Sequence, residues 1–265
     1  MTQALFILWR ESAEALLVIG ILHAWLRQGV DSTHKLRWLW AGVAAGTLMA
    51  LAFAAALLGL FSALPEGAIE QMQLAMMLLA SGLIVHMVGW MRQQGGQMKH
   101  ALQQDVAQRA GPGIALLAAL AIAREGTETV VFLYGLGLGQ QSAGQLGLTA
   151  LLAVMLAMLT YWLLQQGGRW LHWRHFFRLS ETLLLLLGGA LLLAAAEKMT
   201  MLGWLPTLVD ELWDSSWLLD DASRAGNLLA SFTGYRAHPA LSPLLALLGY
   251  WGLVWAWLGR GRHAR

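Results

Sequence analysis

The sequence predicts an all-α polytopic membrane protein with seven transmembrane helices, the N-terminus outside and the C-terminus inside. Three observations predict it. Of 265 residues, 58% are hydrophobic and only 12% charged, against about 25% charged in a soluble domain. The apolar residues gather in stretches of about 20, the length that crosses a hydrocarbon core about 30 Å thick. Lysine and arginine fall after every second stretch, as the positive-inside rule requires.

The predicted spans run over residues 3–26, 38–62, 68–91, 113–138, 145–166, 179–202 and 241–259. The first is broken by Arg10 and Glu11, so only Ala15–Leu26 is uninterrupted. The second carries Gly42-x-x-x-Gly46, a small-residue spacing that lets helices approach closely. The third places His86 in its inner half, where a hydrogen-bonded packing role is expected in preference to a proton relay. The fourth ends in Gly135-x-Gly137-x-Gly139, which loosens its outer end, and Thr127 and Tyr134 lie near its charged centre as candidate oxygen donors. The fifth carries no charged residue. The sixth has Gly188-Gly189-Ala190 for close packing. It starts near Glu181, read as a helix N-terminal acid, and ends near Glu197 and Lys198, which are expected to pair or to meet headgroups. The seventh is an added scaffold helix. Residues 92–110 suggest an interfacial helix on the inner face, with Met98, Leu102 and Val106 at i,i+4 spacing.

Orientation follows from a census of the 17 basic residues. Twelve flank the inner ends of the spans and three, Lys198, Arg224 and Arg236, fall outside, while Arg10 and Arg124 lie within spans. Trp25, Trp38, Trp40, Trp90, Trp162, Trp170, Trp173, Trp255 and Trp257 fall near the inner boundary, and Trp204, Trp213 and Trp217 near the outer one, as interfacial belts. The chain lacks cysteine, which excludes disulfides, thiolate metal sites and thiol nucleophiles. The pI of about 9.2 comes from these dispersed short groups and gives no reason to invoke nucleic acid. No cleavable leader is expected, because residues 1–9 hold no Lys or Arg.

Two clusters conflict with this apolar background. Arg10-Glu11-Ser12-Ala13-Glu14 and Arg124-Glu125-Gly126-Thr127-Glu128 both read Arg-Glu-x-x-Glu, in spans that run in opposite directions. The chain therefore divides into a three-helix repeat over residues 1–91, an inverted copy over 113–202, an outer acidic loop over 203–240 and the seventh helix, all in one integral domain. Insertion of a charged group at a helix centre costs about 2.5–3.5 kcal/mol, so six such groups cost roughly 15–20 kcal/mol before pairing. Residues three apart share a helix face, and Arg10 with Glu14, like Arg124 with Glu128, stand at i,i+4. Each arginine is thus expected to neutralise one glutamate and leave one carboxylate per helix less compensated. Two arginines and four glutamates sum to −2, the charge of a cation site. Oxygen ligands suit Mg²⁺, Ca²⁺, Mn²⁺ and iron, while the lack of Cys and Met within the motifs argues against Cu(I). A di-iron enzyme would be expected to add Glu-x-x-His, which neither motif contains.

The paired motifs, in spans one and four of seven, resemble the oxidase-dependent iron transporter family, which includes fungal high-affinity iron permeases and bacterial Efe-type ferrous iron permeases. Gly234-Tyr235 followed by Pro239 before the last span adds to the resemblance. It implies a multi-pass iron permease of the bacterial cytoplasmic (inner) membrane. Glu11, Glu14, Glu125 and Glu128 would be metal ligands, and Arg10 and Arg124 their supports. It also implies a separate periplasmic iron oxidase or iron-binding protein as partner. Iron, as Fe²⁺ or Fe³⁺, would be substrate, with no resident cofactor and no catalytic residues. Transport of another divalent ion such as manganese, or an intramembrane carboxylate-bridged metalloenzyme, stand as alternatives. Asp210, Glu211, Asp214, Asp220, Asp221 and Glu197 are candidates for outer cation capture. Fungal members carry Asp-Ala-Ser-Glu in this loop; here it reads Asp221-Ala222-Ser223-Arg224, with a basic last residue.

Overall fold

The computed structural model describes residues 2–27, 32–94, 111–137, 143–165, 173–206, 208–221 and 223–260. Among them are eight helices and no strand. They are α1 (Thr2–Leu26), α2 (Ser32–Ala63), α3 (Glu66–Gln94), α4 (Gly111–Gly135), α5 (Ala143–Gln165), α6 (Trp173–Met201), α7 (Arg224–Thr233) and α8 (Leu241–Arg260). Seven match the expected stretches, several extended by one or two turns. Four are long and apolar enough to cross a membrane: α2, α3, α5 and α6. Part of α8 is a shorter apolar helix. The motif-bearing α1 and α4 miss that criterion because their centres are charged.

The charged helices are enclosed by the apolar ones. α1 packs on α5 and α4, α4 on α2 and α3, α3 on α6, and α6 on α8. Close approach is set by small residues. A Cβ on Gly42 would stand 2.3 Å from the Ala115 carbonyl oxygen, and one on Gly46 would stand 2.6 Å from that of Ala119, so α2 and α4 meet backbone to backbone. The hydroxyl of Ser81 donates to the Gly188 carbonyl at 2.9 Å, and that of Tyr250 to Leu185 at 2.8 Å, tying α3 and α8 to α6. Outward, α2 and α5 expose leucine and methionine, including Leu48, Leu51, Leu148 and Met155. A continuous apolar surface of this kind fits acyl chains and not water.

The segment between α6 and α8 departs from expectation. Residues 203–240 were expected as a loop, yet they contain α7. Its ends are chemically specified: Ser223 Oγ accepts from the Gly226 amide at 3.0 Å, and Gly234, at φ 74°, closes the last turn by donating to Ala230. Tyr235 anchors the preceding strap, its hydroxyl 2.8 Å from Ser215 Oγ and 2.9 Å from the Leu219 carbonyl. The expected interfacial helix lies almost wholly in 95–110, and Gly139 in 138–142, outside the described residues.

Candidate metal centre

The two motifs occupy the middles of their helices. Glu14 is the thirteenth of the 25 residues of α1, and Glu125 the fifteenth of the 25 of α4. Antiparallel packing of α1 on α4 brings the motifs face to face. Glu11, Glu14 and Glu125 each offer a carboxylate oxygen within 4.8 Å of the others. Glu11 is buried and the other two are partly so.

The arginines are used unequally. Arg10, 1% exposed, donates to Glu11 Oε1 at 2.7 Å and also pairs with Glu14. Arg124 donates through Nε to Glu128 Oε1 at 2.8 Å. The expectation of one compensated carboxylate per helix describes α4, where Arg124 takes Glu128 and Glu125 forms no ion pair among the described residues, but it is corrected on α1, where Arg10 serves both glutamates. Glu128 joins Arg124 and stands outside the three-carboxylate cluster. Three carboxylate oxygens, Glu11 Oε2, Glu125 Oε2 and Glu128 Oε2, are buried with no hydrogen-bond partner among the described residues. Buried carboxylate oxygens left bare are costly. A cation in the cluster removes that cost for Glu11 and Glu125, so the arrangement fits a hard-cation centre.

A third helix completes the site, and the motifs give no hint of it. Met87 and Met91 on α3 accept from Arg10, sulfur to nitrogen 3.3 and 3.1 Å. Trp90, between them, lies under the Arg124 guanidinium, 4.7 Å from its ring centroid. Trp90 therefore holds a motif arginine and is not simply a belt residue. The argument from missing methionine needs the same revision: two thioethers do reach the motif, but they are engaged by Arg10. The spacing Met87-x-x-Trp90-Met91 on one helical face was the available signal. Tyr134 packs on Phe61, centroids 4.8 Å apart, and its hydroxyl has no hydrogen-bond partner among the described residues. Thr127 donates to its own helix, at the Arg124 carbonyl.

The lesser candidates fall elsewhere. Glu197 does not pair with Lys198. It takes two parallel bonds from Arg236 at 2.7 and 2.8 Å, and Lys198 donates to Gln73 at 2.8 Å. Glu181 is eight residues into α6, past its first turn, and pairs with Arg92 of α3. His86 is exposed on α3, which departs from the expected packing role. Asp210 and Glu211 are exposed. Asp214 accepts from Ser216 and stands 3.2 Å from His238. Asp220 caps the turn before α7 through its carbonyl, which accepts from Ser223. Asp221 accepts from the Ala237 amide at 3.3 Å and lines an outer cavity.

Comparison with known proteins identifies the family of the chain. The Ferrous iron permease EfeU of Yersinia pestis is 27% identical over 250 residues, covering 89% of this chain and 85% of its own. The protein of the same name from Escherichia coli O6:K15:H31 is also 27% identical, over 89% and 87% of the two chains. No solved structure matches. Residues 1–258 match the Iron permease FTR1 family, and the chain belongs to that family.

Proposed function

We propose that this chain carries iron across the bacterial cytoplasmic membrane, with Glu11, Glu14 and Glu125 as the central ligands. The observation that carries this reading is the convergence of the three carboxylates within 4.8 Å, with buried oxygens lacking partners. Arg10 fixes the α1 pair, and Arg124 holds Glu128 outside the cluster as a fourth ligand available on approach. Family membership and the EfeU relatives supply the identity of the ion.

The remaining architecture is part of the same proposal. Seven helices cross the membrane with the N-terminus outside, and α1–α3 and α4–α6 form an inverted repeat. Its support is the pairing pattern: exchanging the repeats turns the α2–α4 contact into the α5–α1 contact, and returns α1–α4 and α3–α6 to themselves. The outer acids would concentrate cations, and a periplasmic oxidase or iron-binding protein would deliver them. The cluster holds only glutamates, so the histidines of a di-iron enzyme have no counterpart in it.

The test is uptake by proteoliposomes over a panel of Fe²⁺, Fe³⁺ and Mn²⁺, with Glu11→Gln and Glu125→Gln alongside. Iron uptake that both variants abolish is expected. Wild-type iron uptake in both would overturn the proposal, and preferential Mn²⁺ uptake would reassign the ion.

A further inference from the structure

A cavity of about 430 Å³ lies under α7, where α1, α3, α4 and α6 meet. Gln3, Asp221, Asn227, Ser231 and Arg236 give it a polar lining, and Asp221 is the one carboxylate among the described residues that line it. Gln3 also donates to the Ser231 carbonyl, linking the start of α1 to the α7 roof.

On α1, α3 and α4 the same order separates the cavity from the motifs, and α6 adds to the layer between them. On α1, Gln3 lines the cavity, Ile7 follows one turn later, and Glu11 one turn after that. On α4, Leu136 borders the cavity, Phe132 lies one turn back, and Glu128 one turn further. On α3 the order is Met77, Ile84, then Met87 against Arg10. On α6, Ala194 and Leu191 give way to Leu187. Ile7, Ile84, Phe132 and Leu187 are all 0% exposed and belong to one packed cluster. At 1.5 Å per residue, one turn on either side of Ile7 is about 6 Å. A dry layer of that thickness stops an ion, since the ion cannot shed water into hydrocarbon side chains without replacement ligands.

We propose that the outer cavity is a staging site for a hydrated divalent cation, held by Asp221. The apolar layer centred on Ile7 and Phe132 is then the outer gate that must part before the ion reaches Glu11, Glu14 and Glu125. This rests on the transport reading above. A hexahydrated ion needs roughly 200 Å³, taking seven particles at about 30 Å³ each, so the cavity admits it with its shell intact. The carboxylates beyond the gate then supply the oxygens that replace the shell.

The chain has no cysteine, so single cysteines report without background. In right-side-out vesicles, a membrane-impermeant methanethiosulfonate reagent should label Ser231→Cys at least tenfold faster than Glu125→Cys. Adding Ile7→Ala, Phe132→Ala or the milder Phe132→Leu should speed labelling of Glu125→Cys at least tenfold and leave Ser231→Cys unchanged. Millimolar Mn²⁺ should slow labelling of Ser231→Cys several-fold, and Asp221→Asn should remove that protection. Equal labelling of the two cysteines, labelling of Ser231→Cys only from the inner side, or no protection by Mn²⁺ would each overturn the proposal. None of these readouts requires transport, so they fail independently of the uptake test on Glu11→Gln and Glu125→Gln.

Discussion

The guanidinium of Arg124 lies over the indole of Trp90, 4.7 Å from the ring centroid, while its Nε holds Glu128 at 2.8 Å. The ring covers a face of the cation and the carboxylate takes its Nε edge, so turning Arg124 toward Glu125 would give up both contacts. Such a contact is worth about 0.5–2 kcal/mol. Trp90→Leu releases the arginine to compete with the ion for the cluster. It should raise the KM for iron uptake roughly fivefold, about 1 kcal/mol, with kcat little changed. Trp90→Phe should recover most of the loss. Equal KM values for the leucine variant and wild type would show that the stack does not position Arg124.

Glu125 and Glu128 are one turn apart, yet their settings differ. Glu125 has no ion-pair partner among the described residues and belongs to the three-carboxylate cluster, whereas Glu128 is committed to Arg124. Supporting groups around a metal typically contribute 10–100-fold to its affinity. Glu125→Gln should therefore weaken Fe²⁺ binding by about 100-fold or more, and Glu128→Gln by about tenfold. Calorimetric titration of the detergent-solubilised protein under anaerobic conditions decides the order. A larger loss for Glu128→Gln would place the ion nearer Glu128.

These contrasts mark how far the sequence could be read. The duplicated Arg-Glu-x-x-Glu was visible because both copies are local, and the i,i+4 pairs Arg10–Glu14 and Arg124–Glu128 form as helical geometry dictates. The contribution of α3 was not visible: Met87 and Met91 meet Arg10 across 77 and 81 positions, and periodicity describes a face without naming its partner. Glu197 was misassigned for the same reason. Its neighbour Lys198 points to Gln73, and its true partner Arg236 is 39 residues on. The helix α7 was overlooked although its caps, Ser223 and Gly234, stand in the sequence. Ten residues with a short amphipathic face are easily masked by the surrounding tryptophans and acids.

Arg236 joins the outer segment to α6 through its two bonds to Glu197, with both side chains about one-third exposed. A bidentate, half-buried pair exceeds the usual surface value but remains modest, about 1–2 kcal/mol. Glu197→Gln should raise amide exchange across residues 224–233 by roughly 5–30-fold, the same energy expressed as an opening constant. Exchange unchanged within twofold would mean that α7 is held by other contacts.

Asp214 introduces a pH dependence in the outer segment. The Ser216 hydroxyl and amide, donating at 2.6 and 2.8 Å, and to a lesser degree His238, hold its carboxyl below the ordinary range. A depressed folded-state value stabilises the turn above the unfolded pKa of about 3.9, and the contribution disappears as pH falls through the lowered value. Amide exchange across residues 212–219 should be faster in Asp214→Asn than in wild type at pH 6, with the difference closing as the pH falls through the lowered value. A difference that persists undiminished to low pH would exclude titration of Asp214 as its source.

Gly126 lies inside the second motif, and its position depends on Ala50 of α2. A Cβ on Gly126 would stand 2.4 Å from Ala50 Cβ, closer than atoms can approach, while the next atom, Ala50 Cα, is 3.8 Å away. Gly126→Ala must push α4 from α2 by about 1 Å, and a misplacement of that size can cost on the order of 100-fold in a positioned site. Iron uptake should fall at least tenfold. Removing the opposing methyl with Ala50→Gly leaves only the ordinary 3.8 Å contact. The propensity changes also cancel, since each Gly/Ala exchange in a helix is worth about 1 kcal/mol and the two have opposite sign. The double variant should therefore regain uptake and a wild-type Tm. If the double variant stays inactive while Gly126→Ala folds normally, the glycine serves the ion path itself and not the seating of α4 on α2.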